Sequence, residues 1–573
     1  MESNECYRRW REFALEDPDL TAELAAIEGD EKAIYERFYT ALTFGTAGLR
    51  GILGAGTNRM NLYVVRQATQ GMAQFILAHH SAAEPPAAAI SYDSRNKSAL
   101  FARAAAEVFA ANGVRAYLYE SLAPTPMLSW AVRYYRCAAG VMVTASHNPA
   151  EYNGYKAYGP DGCQMTAESA DEVLGYIRKT DLFDGVRRMP LEDGIAAGMI
   201  LPVGKDAIDG YYRAVLACRC DTEAPRRAGL RLAFTPLNGT GNLPVRHILS
   251  EIGIAGPVLV EEQLLPDGNF PTCPYPNPEL PEAMALGIRR AKEAGAELLI
   301  GTDPDADRLG VAVRRADGEF VLLTGNEVGV LLLDYIGRAR TAQGTMPAHP
   351  VAVKSIVSTT LADLVAESHG IEMINVLTGF KYIGDQIARL EEKGEDGRFV
   401  FGFEESCGYL AGSYVRDKDA VAAAMLVAEM ASWHKQAGRT LLDALDSIYC
   451  TFGCFYNHVT STAFAGADGM KQMAALMDRL FADPPTALGP YPVRSCSDYR
   501  AGIRTTGERR EPIGLPASDV LSLTLENGAT VVIRPSGTEP KLKVYYMVKG
   551  DCADSAKALC GALQREVAAL LGL

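Results

Sequence analysis

Nowhere does the chain run to the eighteen or more consecutive apolar residues that a membrane-spanning helix requires; its longest apolar stretch, 420–433, is interrupted by Glu429. It also shows no basic start, apolar block and small-residue cleavage site. Residues 1–30 read as acidic and helical, so no secretory signal is expected, and the expected location is cytoplasmic, away from any membrane. Basic charge is in short supply: 56 Lys and Arg stand against 70 Asp and Glu, a net charge of −14. That balance argues against nucleic acid as a partner, because nucleic-acid-binding domains need a basic footprint. An anionic small substrate would have to be held by local basic loops against the overall field. The 12 cysteines are scattered, and no second Cys or His pair follows Cys218/Cys220 or Cys450/Cys454 at zinc spacing, so reduced and mostly buried thiols are expected. No short repeat and no low-complexity tract is evident.

What is present describes several globular cores. With 48% apolar and 22% charged residues the chain can bury them, and its length suggests roughly four domains of about 150 residues each. Strand-like runs at 87–91, 115–118, 230–234, 297–300 and 351–356 alternate with longer amphipathic segments, the pattern of α/β domains with parallel sheet character. Boundaries are expected after the turn-rich 202–205, after a hairpin-like segment 309–324 whose Asp317-Gly318 is a turn signal, and near Cys450, where a helical stretch beginning at Ala420 ends. The four units are therefore 1–205, 206–324, 325–450 and 451–573.

Five polar loops carry candidate chemistry. Thr144-Ala145-Ser146-His147-Asn148-Pro149 follows the apolar run 138–143 and presents a hydroxyl that can carry a phosphoryl group. Asp303, Asp305 and Asp307 alternate within Gly301 to Arg308. Three hard anionic oxygens so close together repel unless a cation sits between them, which suits Mg²⁺ or another hard divalent ion; the alternative is a solvated acidic turn. A calcium-binding EF-hand is excluded, since Arg308 and Arg314 stand where that loop needs Gly and Glu. Thr378-Gly379-Phe380-Lys381 and Gly402-Phe403-Glu404-Glu405-Ser406 offer groups that suit sugar hydroxyls, although a Glu pair equally fits a helix N-terminus. Arg534-Pro535-Ser536-Gly537-Thr538 combines a guanidinium fork, two hydroxyls and backbone amides around glycine, the groups that grip a phosphate dianion; its plain reading is a hairpin loop.

Taken in order, these loops resemble the α-D-phosphohexomutase superfamily, over nearly the whole chain from Phe44-Gly45-Thr46-Ala47-Gly48-Leu49-Arg50-Gly51 to the Arg534 loop. The resemblance implies four domains around a central cleft, each giving one loop: three related α/β domains and a C-terminal TATA-binding-protein-like α+β domain. Gly56 to Asn61, Tyr92-Asp93-Ser94-Arg95, Thr378 to Lys381 and the Glu404-Glu405 pair look most like the phosphoglucomutase group that includes phosphoglucomutase/phosphopentomutase type 2 and its bacterial relatives. Gly408-Tyr409 stands where bifunctional phosphomanno/phosphoglucomutases place a His, which counts against mannose phosphates.

The resemblance further implies an enzyme that interconverts glucose 1-phosphate and glucose 6-phosphate. Ser146 would carry the phosphoryl group, Mg²⁺ would be held by Ser146, Asp303, Asp305 and Asp307, and glucose 1,6-bisphosphate would serve as intermediate and activator. Lys156 matches the family's acid/base lysine, with His147 as the alternative. Arg50 and Arg308 match arginines lining the reacting phosphate. Thr378, Gly379, Glu404, Ser406 and Lys418 would meet the sugar, and Arg534, Ser536, Gly537 and Thr538 its distal phosphate. The expected partner is a sugar monophosphate, with the chain a monomer or weak dimer. Other readings of the same machinery are a phosphatase, a phosphopentomutase, a phosphomannomutase, a hexose bisphosphate synthase and a non-catalytic sugar-phosphate sensor.

Overall fold

The computed structural model describes residues 3–45, 48–81, 84–254, 256–464, 469–536 and 541–572. It consists of four sheets with helices packed against them. In the first sheet, strands Ala139–Val143, Ala87–Tyr92, Arg115–Leu118 and Ile200–Pro202 run parallel, Tyr152–Tyr158 pairs antiparallel with Ala139–Val143, and Leu49–Ile52 pairs antiparallel with Tyr152–Tyr158 at the sheet edge. The second sheet joins the parallel Val258–Leu259, Leu232–Thr235 and Leu298–Thr302 to the antiparallel Leu309–Arg314 and Phe320–Leu323, the last two forming the hairpin expected around Asp317-Gly318. In the third, Glu372–Val376, Val351–Ser355 and Phe399–Glu404 are parallel and Gly408–Leu410 returns antiparallel.

One design recurs in these three sheets. A buried parallel strand ends, a short polar loop follows, and the chain comes back antiparallel. The loops so placed hold Ser146, the three aspartates and Glu404 to Ser406 at the carboxyl ends of parallel strands, the edge where α/β sheets leave a crevice for ligands. Each loop turns through one non-glycine residue in the left-handed region: Ser146 (φ 51°), Ala306 (φ 49°) and Cys407 (φ 59°). Such a residue costs on the order of 1–2 kcal/mol, which the surrounding packing must offset.

The fourth sheet is antiparallel throughout, in the order Cys454–Ala463, Lys541–Gly550, Thr530–Pro535, Leu521–Leu525, Tyr491–Asp498, Ile503–Thr506 and Arg509–Pro512. Helices Gly469–Ala482 and Ala553–Leu571 bury Met477 and Leu563 in the same apolar cluster as Leu523 and Val531. The other face of this sheet meets the third domain, where Val532 and Tyr545 join Val357 and Leu377.

The helical stretch starting at Ala420 is two helices. Ala420–Gln436 is almost wholly buried because it is apolar on every side, and Asp419 caps its first turn by accepting from the amides of Val421 and Ala422. Gly438 (φ 70°) then redirects the chain, and a Thr440/Asp443 capping box starts Leu441–Phe452. Among the described residues no helix is long and apolar enough to cross a membrane.

Candidate active site

The Ser146 loop begins at the buried strand Ala139–Val143 and ends at Tyr152–Tyr158. Ser146 itself is 4% exposed. Its Oγ donates to Asp303 Oδ2 at 2.8 Å and lies 3.3 Å from His147 Nδ1. A hydroxyl of the first domain thus sits on a carboxylate of the second, 157 residues further along the chain.

Asp303, Asp305 and Asp307 are buried, and each places a carboxylate oxygen within 4.8 Å of the others. Burial together with the charges of Asp305 and Asp307 pushes the Asp303 carboxyl well above the usual carboxylate range. Asp305 is driven the other way: burial opposes its charge, but Lys156 and hydrogen bonds outweigh that cost. Asp305 Oδ1 and Asp307 Oδ1 are buried and have no hydrogen-bond partner among the described residues. Clustered carboxylates with unanswered lone pairs are what a hard cation satisfies, so this triad can hold a metal ion.

Cations converge on the same carboxylates. Lys156, from the strand returning after the serine loop, places Nζ 2.7 Å from Asp305 Oδ2 and 3.3 Å from Asp307 Oδ2. Lys418 reaches Asp307 Oδ2 at 3.2 Å and Asp417 Oδ1 at 2.9 Å, with its ammonium 5.4 Å above the Phe380 ring. Desolvation lowers both lysines, and the facing carboxylates raise them further, so both are held as ammonium ions. Arg308 bridges two domains by donating from Nη1 to Glu279 Oε1 (2.9 Å) and to the Ser406 carbonyl (3.0 Å). His147 is held neutral: burial first, then the charges of Arg308 and Arg50, put its pKa well below the usual imidazole value. Arg50, on the strand Leu49–Ile52, donates to Asn148 Oδ1 at 3.4 Å, next to the serine loop.

In the third domain, Gly379 starts the helix Phe380–Glu392 with φ 120°, a backbone conformation open to glycine, and its amide donates to Glu404 Oε1 at 2.8 Å. Thr378 lies beside it with a buried Oγ1 that has no hydrogen-bond partner among the described residues. Glu404 ends the strand Phe399–Glu404, so the Glu pair caps a strand and not a helix. Burial raises both glutamates, Glu405 to about 7 with Glu404 as second cause. Arg534 stands next to the end of the strand Thr530–Pro535, and its charge lowers the pKa of the Tyr545 hydroxyl, which burial, Glu405 and Glu404 raise. Tyr545 therefore lies between Arg534 and the Glu404 loop. The Ser536 amide closes the base of its loop on the Lys541 carbonyl at 2.7 Å. Gly537 and Thr538 lie outside the described residues.

Sequence reasoning missed several groups at this site. Thr125 opens the helix Thr125–Tyr134 and grips Asp305 twice, through Oγ1 to Oδ2 (2.8 Å) and through its amide to the backbone carbonyl (2.9 Å). Glu279 holds Arg308, and Asp417 holds Lys418. Neither Thr125 nor Glu279 lies in a loop with an identifiable motif, and each acts on a partner at least 29 residues away; Asp417 stands in the segment Arg416 to Asp419 that resembles a glucomutase segment, but its hold on the neighbouring Lys418 was not read from it. No local spacing signals such pairs.

A buried serine on an acidic triad, ringed by lysines and arginines and faced by carboxylate and arginine loops, defines a phosphoryl-transfer site shared among four domains. Residues 41–183, 209–318 and 324–452 match the phosphoglucomutase/phosphomannomutase alpha/beta/alpha domains I, II and III, and 501–559 match the phosphoglucomutase/phosphomannomutase C-terminal domain. The chain belongs to the phosphoglucomutase/phosphomannomutase family. It is similar to the phosphoglucomutase of Staphylococcus haemolyticus, 35% identical with 90% of this chain and 91% of that one covered. The phosphoglucomutase of Staphylococcus epidermidis is 36% identical over 91% of this chain and 93% of its own. The fold matches the crystal structure of pp63/parafusin from Paramecium with a TM-score of 0.68 at 16% identity, covering 93% of this chain and 97% of that one.

Proposed function

We propose that the protein interconverts α-D-glucose 1-phosphate and glucose 6-phosphate, with Ser146 as the phosphoryl carrier and glucose 1,6-bisphosphate as the bound intermediate. The observation that carries this reading is the Ser146 hydroxyl, 2.8 Å from Asp303 within the acidic triad and displayed from a left-handed turn. Ser146, Asp303, Asp305 and Asp307 would hold Mg²⁺. When bound, that ion neutralises phosphate charge and polarises the phosphoryl group.

The chain's own groups account for the rest. Arg308 and Arg50 face the serine loop with positive charge, which favours an anionic phosphoryl group there and stabilises charge developing during transfer. A sugar hydroxyl attacking phosphorus must lose a proton, and Lys156 is assigned to take it as the free amine, after giving up the proton it carries, and then to return it. Its ammonium form, held by Asp305 and Asp307, is the acid half of that cycle. His147, neutral and 3.3 Å from Ser146 Oγ, positions the serine hydroxyl.

Transfer from Ser146 leaves a sugar bisphosphate in the site. For net isomerisation the sugar must present its other phosphate to Ser146, so the remaining loops must accept it in two orientations. Thr378, Gly379, Glu404, Ser406 and Lys418 supply donors and acceptors for the ring hydroxyls, while Arg534, Ser536, Gly537 and Thr538 hold whichever phosphate is not reacting. Ser146→Ala should abolish conversion measured with a catalytic amount of glucose 1,6-bisphosphate, and no phosphate should then appear on the protein by intact mass. Undiminished turnover would sink the phosphoserine mechanism.

A further inference from the structure

Arg95 lies outside every group assigned above, yet its side chain is fully buried beside the nucleophile. Its Nη1 donates to the carbonyls of Pro149 (2.8 Å) and Tyr152 (3.0 Å), and its Nη2 to the carbonyls of Ser146 (2.5 Å) and Asn148. Four carbonyl oxygens between residues 146 and 152 thus converge on one guanidinium. The guanidinium is fixed from behind, because Asp93 Oδ2 pairs with Nε at 3.3 Å and the Phe270 ring of the second domain lies 5.1 Å from Cζ. Asp93 anchors the same loop from its other end. Its Oδ2 accepts from Thr144 Oγ1 (2.6 Å), and that hydroxyl oxygen in turn accepts from the Ser146 amide (2.8 Å). The Asp93 Oδ1 accepts from the Arg95 amide (3.0 Å) and Ser98 Oγ (2.8 Å).

The geometry points to Arg95 as the positioning residue for the nucleophile. We infer that its planar fork gathers the carbonyls of the serine loop, keeps Ser146 in the left-handed turn and so holds the phosphoryl-carrying oxygen at the acidic triad. The inference rests on the phosphoserine reading of Ser146. Three features make the role more than general packing. The left-handed φ of Ser146 is intrinsically unfavourable, so something must oppose its relaxation. Four converging carbonyls repel unless a delocalised cation with several coplanar donors sits among them, and a buried acceptor left unpaired costs about 1–3 kcal/mol. Among the described residues, the hydrogen bonds, ion pair and ring contact of the Arg95 side chain are to the loop backbone, to Asp93 and to Phe270, and none is to a group assigned to the sugar or to its distal phosphate. Loosening this anchor therefore moves the nucleophile and leaves substrate binding alone.

The test is a kinetic split. Arg95→Lys keeps the charge, but a lysine offers three donors about one nitrogen and cannot span the four carbonyls. In full-length protein, kcat should fall on the order of 10²-fold, the loss expected when a reacting atom is misplaced by about 1 Å, with KM for glucose 1-phosphate within about twofold. Phosphate transfer from labelled glucose 1,6-bisphosphate onto Ser146 in a single turnover should slow in parallel. An unchanged kcat, or a loss carried by KM, would overturn the inference. If Arg95→Lys does not fold, Thr144→Val and Thr144→Ser probe the other anchor: Val should lower kcat at constant KM and Ser should restore it, and equal effects of the two would refute the loop-holding role. Wild-type protein that never labels on Ser146 would instead refute the phosphoserine reading, so the two failures are distinguishable.

Discussion

Replacing Lys156 with methionine removes a buried cation from a cluster whose charges balance through it. Lys156 Nζ is the ammonium between Asp305 Oδ2 and Asp307 Oδ2, and without it Asp305 Oδ2 keeps the Thr125 hydroxyl while Asp307 keeps Lys418. Breaking a buried pair by deleting one partner costs about 3–5 kcal/mol, because the remaining charge stays desolvated. At roughly 2–4 °C per kcal/mol for a domain of 150–250 residues, the metal-free variant should melt on the order of 10 °C lower. Added Mg²⁺ supplies positive charge to the same carboxylates, and an ion present at 100 times its Kd stabilises by about 2.7 kcal/mol. The variant's cluster is more negative, so its Mg²⁺-induced rise in melting temperature should exceed that of the wild type. Mutase turnover should nevertheless stay lost, since the ion restores charge balance but not the proton-transfer group. The assay is differential scanning fluorimetry across a Mg²⁺ titration, with turnover measured on the same samples. A metal-free melting point equal to wild type, or a Mg²⁺ shift no larger than the wild type's, refutes the electrostatic account; recovered turnover refutes the acid/base assignment.

Two further outcomes follow from other contacts. Thr125→Val keeps the side-chain shape but removes the 2.8 Å hydrogen bond to Asp305 Oδ2; the Mg²⁺ concentration for half-maximal activity should rise about tenfold, as for other groups that orient metal ligands, and an unchanged value would remove Thr125 from that role. Glu429, buried in the helix Ala420–Gln436, accepts from the amides of Cys220 and Asp221 and from Tyr335, while Oε2 has no hydrogen-bond partner among the described residues; burial raises its pKa to about 7. Between its ordinary value of 4.5 and about 7 the folded state holds a proton that the unfolded state has released, so this group favours folding at low pH and loses that contribution as pH rises through the window. Glu429→Gln should flatten the fall in melting temperature between pH 5 and 8, removing up to about 3 kcal/mol of pH dependence, and parallel pH curves for the two proteins would count against a raised Glu429.

The serine loop, the aspartate loop and the Glu404 loop were legible in the sequence because each is a short polar run bounded by buried strands. The strands around 87–91, 351–356 and 309–324 were legible for the same reason, since apolar runs bounded by turn residues need no distant partner to be recognised. The helix after Asp419 was visible, but its break at Gly438 was not, as a glycine inside a helical pattern is ordinarily tolerated. Asp93 and Arg95 were visible as part of a resembling motif, though their task was not, because it consists of contacts more than 50 residues ahead, Asp93 to the Thr144 hydroxyl and Arg95 to the loop carbonyls.

The sequence by itself determined the chemistry available: a hydroxyl, three carboxylates, a glutamate pair and Arg534, each placed at a strand end by local patterning. Only the tertiary structure decided how these groups act on one another. Ser146 touches Asp303 across 157 residues, Lys156 and Lys418 share Asp307 from different domains, and Thr125 steadies Asp305. The physical reason is range. Strand patterning and turns are set by neighbours along the chain, whereas charge balance in a buried site depends on distances in space, which the packing of the domains alone fixes.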